Sequence, residues 1–225
     1  MKNTPFIAVT SQPVPYHADT TAIFNTLCQQ NSNSLLLDSA EIGSKNSLQS
    51  LILINAAVKI TCLGNQVTFR ALNANGKQVL KEIHPVLSQL GTVSAVNFDN
   101  EFSVQFAPLD NQLDEDSKLQ AATIFDGLRV ISNHYQHSST PVFLGGLFAY
   151  DLVANFIPMQ GVELKDDGIH CPDYSFYLAE NLITIDHQSQ QATLKSFCFS
   201  QEEQVEVAKT ALSIAQKLKN IDGVL

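Results

Sequence analysis

The sequence contains no C-x-x-C pair. Cys28, Cys62, Cys171 and Cys198 stand alone and read as free thiols buried like small hydrophobes, which suits a reducing cytoplasm. It has no apolar stretch of membrane length. Near the start only Phe6–Val9 is apolar, with Pro5, Pro13 and Pro15 around it, too little for a secretory signal. The most apolar internal window, Leu51–Ile60, is interrupted by Asn55 and Lys59, which excludes a spanning helix. No G-x-G-x-x-G follows a strand and there is no P-loop, so nucleotide binding has no support. Basic residues are also few: 13 Lys and Arg against 22 Asp and Glu leave a net charge of −9. Such a chain repels phosphate backbones and anionic membranes, so neither nucleic acid nor membrane is expected as a partner. Internal repeats and low-complexity linkers are absent as well.

What is present is enough for a core. The 225 residues are 44% hydrophobic, and folding at this length buries roughly 70–75% of the unfolded surface without staples. The length allows one large domain or two small ones. Asp19–Gln30 has helical spacing, with Ile23, Phe24, Leu27 and Cys28 on one face. Leu35–Leu37 reads as a buried strand, Leu51–Ala57 as another. Val58, Ile60 and Cys62 alternate into a Gly64–Asn65 turn of type II′, and Val67, Phe69 and Ala71 return. Asn75–Gly76 is a second turn signal. Val79 to Leu90 is helical in period, with Pro85 expected to kink or divide it. Phe102–Ala107 is a short strand. Asp114–Asp116 open a long helix whose inner face is Leu119, Ala122, Phe125, Leu128, Ile131 and Tyr135. Val142–Tyr150 is apolar around Gly145–Gly146, which implies close approach by another backbone. Tyr174–Ala179, Leu182–Ile185 and Thr193–Phe199 follow as strands, the last two a hairpin. Ser200 with Glu203 makes a capping box for a final helix lined by Val205, Ala208, Leu212, Ala215 and Leu218. The fold class is α+β, with antiparallel sheets and flanking helices.

Few residues offer chemistry. Asp38 and Ser39 end the leucine strand with a carboxylate and a hydroxyl. They can accept from the ammonium of a free amino acid, or they can cap a turn. His134 and His137 lie one helical turn apart but lack a third ligand, so a surface pair explains them better than a metal. His170 and Cys171 precede Pro172 and read as loop. Asp114–Glu115–Asp116 suits a helix start better than a cation. Arg129 can pair with Asp126 at i, i+3, or aim into a domain interface. No nucleophile set stands out, and no catalytic or metal-ligating residue is assigned.

Several motifs resemble one family in order along nearly the whole chain. They are Leu35-Leu36-Leu37-Asp38-Ser39-Ala40-Glu41-Ile42-Gly43-Ser44-Lys45, Leu72-Asn73-Ala74-Asn75-Gly76, Leu113-Asp114-Glu115-Asp116, Phe125-Asp126-Gly127-Leu128-Arg129, the run from Gly145 to Ala154, and the run from Cys171 to Glu180 with Ile185-Asp186-His187-Gln188. They resemble the N-terminal part of anthranilate synthase component I, in the anthranilate/aminodeoxychorismate synthase fold. The resemblance implies an enzyme that turns chorismate and glutamine, or ammonia, into anthranilate and pyruvate, the first step towards tryptophan. It implies Mg²⁺ in the full-length enzyme, a glutamine amidotransferase subunit as partner, and feedback inhibition by L-tryptophan.

Carried over, the resemblance puts Asp38, Ser39 and Ala40 at the tryptophan site and Arg129 in its allosteric coupling. Close relatives have a lysine where this chain has Gln49. The chorismate- and Mg²⁺-binding motifs of the family are absent, so residues 1–225 are expected to be a single N-terminal regulatory domain, inactive alone and without a cofactor of its own. The catalytic half is then expected outside this chain. Two other readings are a stand-alone, non-catalytic amino-acid-binding or interaction module, and the equivalent domain of aminodeoxychorismate synthase.

Overall fold

Two long strands organise the chain. In the computed structural model, which describes residues 5–29, 31–38, 48–97, 99–108, 114–136, 138, 140–156 and 171–221, β3 (Gln49–Leu63) and β8 (Tyr174–Asp186) pair antiparallel from end to end. In β3 the run Ile52, Leu53 and Ile54 is buried at consecutive positions, so both faces of the sheet are covered there. Further along, Val58, Ile60 and Cys62 are buried while Lys59 and Thr61 are half-buried. The stretches read separately as Leu51–Ala57 and 58–62 are thus one strand, as are Tyr174–Ala179 and Leu182–Ile185. The joint in each is real, however. The register slips between Leu53 and Val58, where Asn55 lies opposite Asn181.

All nine strands described form one antiparallel sheet, ordered β1 (Ala8–Val14), β9 (Gln191–Cys198), β8, β3, β4 (Gln66–Ala71), β6 (Glu101–Gln105), β5 (Thr92–Asn97). Two short strands sit off this path. β2 (Leu35–Asp38) lies beside the first half of β3, and β7 (Leu144–Phe148) beside the first half of β8. The α+β class expected from the hairpins is therefore the one observed. At the β3–β4 turn Gly64 has φ +56° and Asn65 does not share the sign, the order a type II′ turn requires. A Cβ on Gly146 would collide with the Ser175 carbonyl and the Phe176 backbone, which is the close approach expected of β7.

The core has two parts, and in the first half of β3 they lie on opposite faces of the sheet, Ile52, Ile54 and Ile183 on one and Leu53 and Leu182 on the other. On one side Ile23, Ile52, Ile54, Ile183, Leu194 and Ile214 pack under α1 (Thr20–Cys28) and α5 (Gln204–Lys219). On the other a larger cluster includes Phe69, Phe102, Leu80, Ile83, Ile131 and Tyr174, under α2 (Ala74–Leu87) and α4 (Asp126–His134).

Several expectations fail for identifiable reasons. The leucine strand is not fully buried. β2 is an edge strand, and Leu37 is 41% exposed. Asn75–Gly76 is no turn but the first turn of α2. Asn73 caps that helix by accepting the Gly76 N–H at 2.8 Å. Asn75 is buried and makes three bonds, to the Glu180 carboxylate, the Phe197 carbonyl and the Phe199 N–H. Pro85 leaves α2 undivided, because it sits in the last turn, where it removes only one intrahelical bond.

The long helix from Asp114 is two: α3 (Glu115–Gln120) and α4. Ala121 is extended at ψ 141°. The Ile124 carbonyl then accepts from the Tyr174 hydroxyl at 2.7 Å, and the Thr123 N–H donates to Asp126 at 2.7 Å. Tertiary and local partners thus replace the missing helical ones. Of the face expected there, Ile131 and Tyr135 are buried and Ala122, Phe125 and Leu128 pack against the core.

In α5 two adjacent rows are apolar. The row that docks is Val207, Ala211, Ile214 and Leu218, leaving Val205 and Leu212 63% and 59% exposed. The helix starts at Gln204 without a side-chain cap, because the Ser200 hydroxyl is used one turn earlier, accepting the Glu202 N–H. Strand β5 carried no reading from the sequence. It is short, and exposed at Thr92 and Ser94.

Candidate functional site

Asp38 is the last residue of β2, directly opposite Ser50 of β3. Opposed residues share a face of the sheet, so the two side chains meet. The Ser50 hydroxyl donates to one oxygen of the Asp38 carboxylate. The other oxygen accepts from Thr20 Oγ1 at 3.3 Å. Thr20 is placed by the N-terminus of α1, where Asp19 caps the helix through the Ala22 N–H at 2.9 Å. Ser50 is fully buried, whereas Asp38 is exposed. Two neutral hydroxyls hold the carboxylate, one on each oxygen. Among the described residues no lysine or arginine pairs with it.

A second layer lies behind Ser50. Its oxygen is 2.7 Å from Nε2 of His187, whose Nδ1 is 3.1 Å from the Tyr16 hydroxyl. The two rings meet edge to face at 5.8 Å. The His187 N–H also donates to the Leu48 carbonyl at 2.9 Å, which ties the β8–β9 turn to the start of β3. Next to Tyr16, buried His17 is bonded through Nε2 to the Leu218 carbonyl at the end of α5. Asp186 is committed to the same turn. Its carboxyl is held below the usual range chiefly by the Ser189 N–H, then by Gln188 and His187.

The other residues singled out from the sequence lie apart from this carboxylate. Ser39 and Ala40 lie outside the described residues. Gln49 is exposed and opposes Asp186. It is one residue out of phase with Ser50, so its side chain leaves the opposite face of the sheet. Arg129 lies in α4, over the other part of the core. It pairs with Asp126 at 3.3 Å, is 60% exposed, and sits over the Phe125 ring at 6.0 Å, the i, i+3 pairing anticipated. His134 bonds Glu82 of α2 at 3.0 Å; His137 and His170 lie outside the described residues.

Thr20, Ser50, His187 and Tyr16 had no assigned role in the sequence reading. Ser50 could have been found by counting across the β2–β3 pair. His187, 137 residues from Ser50, gives no local signal.

Three grooves of about 310 to 350 Å³ lie elsewhere, one between α1 and α5 at Leu27, Asn55, Lys209 and Lys217, one beside β1 and β9, one on the β3–β4 hairpin. Among the described residues no group of three or more His, Cys, Asp or Glu side chains could hold a metal ion. No described helix is long and apolar enough to cross a membrane.

Comparison with known proteins gives the fold class first. A solved structure from Bacillus anthracis, described as a 2,3-dihydroxybenzoate-specific isochorismate synthase, superposes on 97% of this chain and 67% of its own with a TM-score of 0.51. The two are only 11% identical, so the likeness is one of fold. Sequence relatives are more specific. The chain is 85% identical over 220 residues to anthranilate synthase component 1 of Haemophilus influenzae, covering 98% of this chain and 42% of the relative. It is 44% identical to that of Vibrio cholerae and 36% identical to that of Escherichia coli, over 88% and 87% of this chain and 38% and 37% of theirs. No family model matches. Over the stretch it spans, the chain is homologous to anthranilate synthase component 1, as its motifs suggested. It spans about two fifths of the length of these curated relatives.

Proposed function

We propose that this chain is the regulatory and scaffolding part of an anthranilate synthase component 1, and that Asp38 belongs to its L-tryptophan feedback site. The complete enzyme converts chorismate with glutamine or ammonia into anthranilate and pyruvate in the cytoplasm, with Mg²⁺ and a glutamine amidotransferase subunit. The observation that carries this reading is the 85% identity to the Haemophilus influenzae relative. The geometry at Asp38 supports it. A carboxylate bonded by two hydroxyls, with no cation paired to it among the described residues, is a ready acceptor for an ammonium, and charge-assisted bonds are the stronger kind. Leu36 and Tyr16, packed in the adjoining cluster, offer apolar surface to an indole. Ser39 and Ala40 are assigned to the same site by their place after Asp38, Gln49 to its margin, and Arg129 to coupling from a distance. The catalytic half of the enzyme is assigned to polypeptide outside this chain.

The chain contains no tryptophan, so added L-tryptophan is the only indole in solution. Titration is expected to change its emission and to give a calorimetric isotherm, both lost in Asp38→Ala. With chorismate, Mg²⁺ and ammonia this chain alone is expected to form no anthranilate. Unchanged tryptophan binding by Asp38→Ala removes the effector assignment, and turnover by the chain alone overturns the scaffolding one.

A further inference from the structure

A carboxylate only accepts hydrogen bonds, and a serine hydroxyl has one hydrogen to give. Ser50 gives that hydrogen to Asp38. Its oxygen, 2.7 Å from Nε2 of His187, is therefore the acceptor in the second contact, and the ring hydrogen sits on Nε2. In the neutral ring Nδ1 is then the acceptor for the Tyr16 hydroxyl at 3.1 Å. The carboxylate's charge thus sets the direction of every bond in the series Tyr16, His187, Ser50, Asp38. The series is anchored at its middle by the His187 N–H on the Leu48 carbonyl and by the full burial of Ser50. Three segments distant in sequence converge on it: the residues after β1, the β2–β3 pair and the β8–β9 turn. A structural role alone would be met as well by an apolar contact between the turn and the sheet. A directed series ending at an exposed carboxylate that no cation pairs with among the described residues has a further use.

We propose that His187, acting through Ser50, is a positioning residue for the Asp38 carboxylate that receives the ammonium group of an amino-acid ligand. The inference rests on the effector assignment above and adds residues to the same site. It holds Asp38 in one rotamer before the ligand arrives, so that the ordering is not charged against binding.

The test has a ligand-free and a ligand-bound arm. In chain labelled with ¹⁵N-histidine, long-range ¹H–¹⁵N correlation is expected to show His187 with its hydrogen on Nε2. In Asp38→Ala the Ser50 hydrogen is released and the Nδ1–H tautomer becomes populated. Hydrogen on Nδ1 in the unaltered chain, or no response to Asp38→Ala, overturns the inference. In calorimetry with L-tryptophan, Ser50→Ala and His187→Ala are each expected to weaken binding about tenfold, the size of one hydrogen bond to a charged group. His187→Gln keeps an N–H where Nε2 was and is expected to stay within about threefold. Rescue by glutamine separates positioning from packing. If the unaltered chain binds L-tryptophan and both alanine variants bind it equally well, this inference falls alone. If the unaltered chain does not bind L-tryptophan, the effector assignment falls and takes the inference with it.

Discussion

The surroundings of Asp38 and of Arg129 handle charge differently. Around Asp38 a carboxylate stands with no cation paired to it among the described residues, bonded by the hydroxyls of Thr20 and buried Ser50, the latter in contact with His187. Around Arg129 the charges are matched on the surface, Arg129 with Asp126 and Arg70 with Glu101. What lies beneath there is aromatic, with Phe69 stacked on Phe102 at 5.1 Å and Phe125 on Phe156 at 5.3 Å. β3 and β8 change register at Asn55 and Asn181. The Arg129 region lays paired charges over aromatic packing. The Asp38 region spends part of its interior on orienting one exposed group. An acid left unpaired at the end of an edge strand calls for a partner that the described residues do not supply, whereas the Arg129 pair does not.

Five substitutions sharpen or break that contrast, beginning with the largest effect. Phe69→Ala removes a fully buried ring from the stacked pair and is expected to cost about 3–5 kcal/mol, read from the urea midpoint. A loss of under about 1 kcal/mol would deny that packing its role as the stability core.

In α5, Ile214→Ala is expected to cost about 2–4 kcal/mol, and Leu212→Ala, on the exposed row of the same helix, less than about 0.5 kcal/mol. Equal losses would mean that α5 docks by the other row.

Glu180 lies at the joint of β8. Burial pushes its carboxyl up, against the bonds from Asn75 and Asn73 that pull it down. A group raised on folding contributes stability that is complete below its unfolded value and is lost as pH rises through the folded one. Glu180→Gln keeps an oxygen for both amide donors and cannot ionise. It is therefore expected to match the unaltered chain in acid and to gain on it as pH rises towards neutrality. A gain that shrinks with pH would reverse the assignment.

The smallest effect is that of Arg129→Ala. An exposed ion pair is worth about 0.2–1 kcal/mol, and with no contact between Arg129 and Asp38 the L-tryptophan affinity of this chain should stay within about twofold. A larger change would show that the two regions are coupled within this chain.

The fold was legible where period and punctuation agreed. Gly64–Asn65 between alternating strands, the helical spacing of Ile23, Phe24, Leu27 and Cys28, and the paired glycines of β7 all led to the elements observed. It was misread where two interpretations share one pattern. Asn75–Gly76 has the composition of a turn, and only its bonds to Glu180, Phe197 and Phe199 make it a buried helix start. α5 offers two apolar rows, and sequence does not say which one meets Ile183 and Leu194. The helix expected from Asp114 to Tyr135 breaks at extended Ala121, and the link to α4 is held by the Tyr174 hydroxyl, 50 residues away, on the Ile124 carbonyl. The site divides similarly. An acid closing a leucine run could be read locally and drew attention to Asp38. Ser50 and His187 become its neighbours only through strand pairing, a relation no spacing rule records.

The central claim is that the Asp38 region presents an unpaired carboxylate for an ammonium beside apolar surface. The most direct measurement is paired titration of the unaltered chain with tryptamine, which has the ammonium and no carboxylate, and indole-3-propionate, which has the reverse. The expected result is binding of tryptamine, abolished in Asp38→Ala, and none of indole-3-propionate. Binding of indole-3-propionate in preference to tryptamine would contradict it.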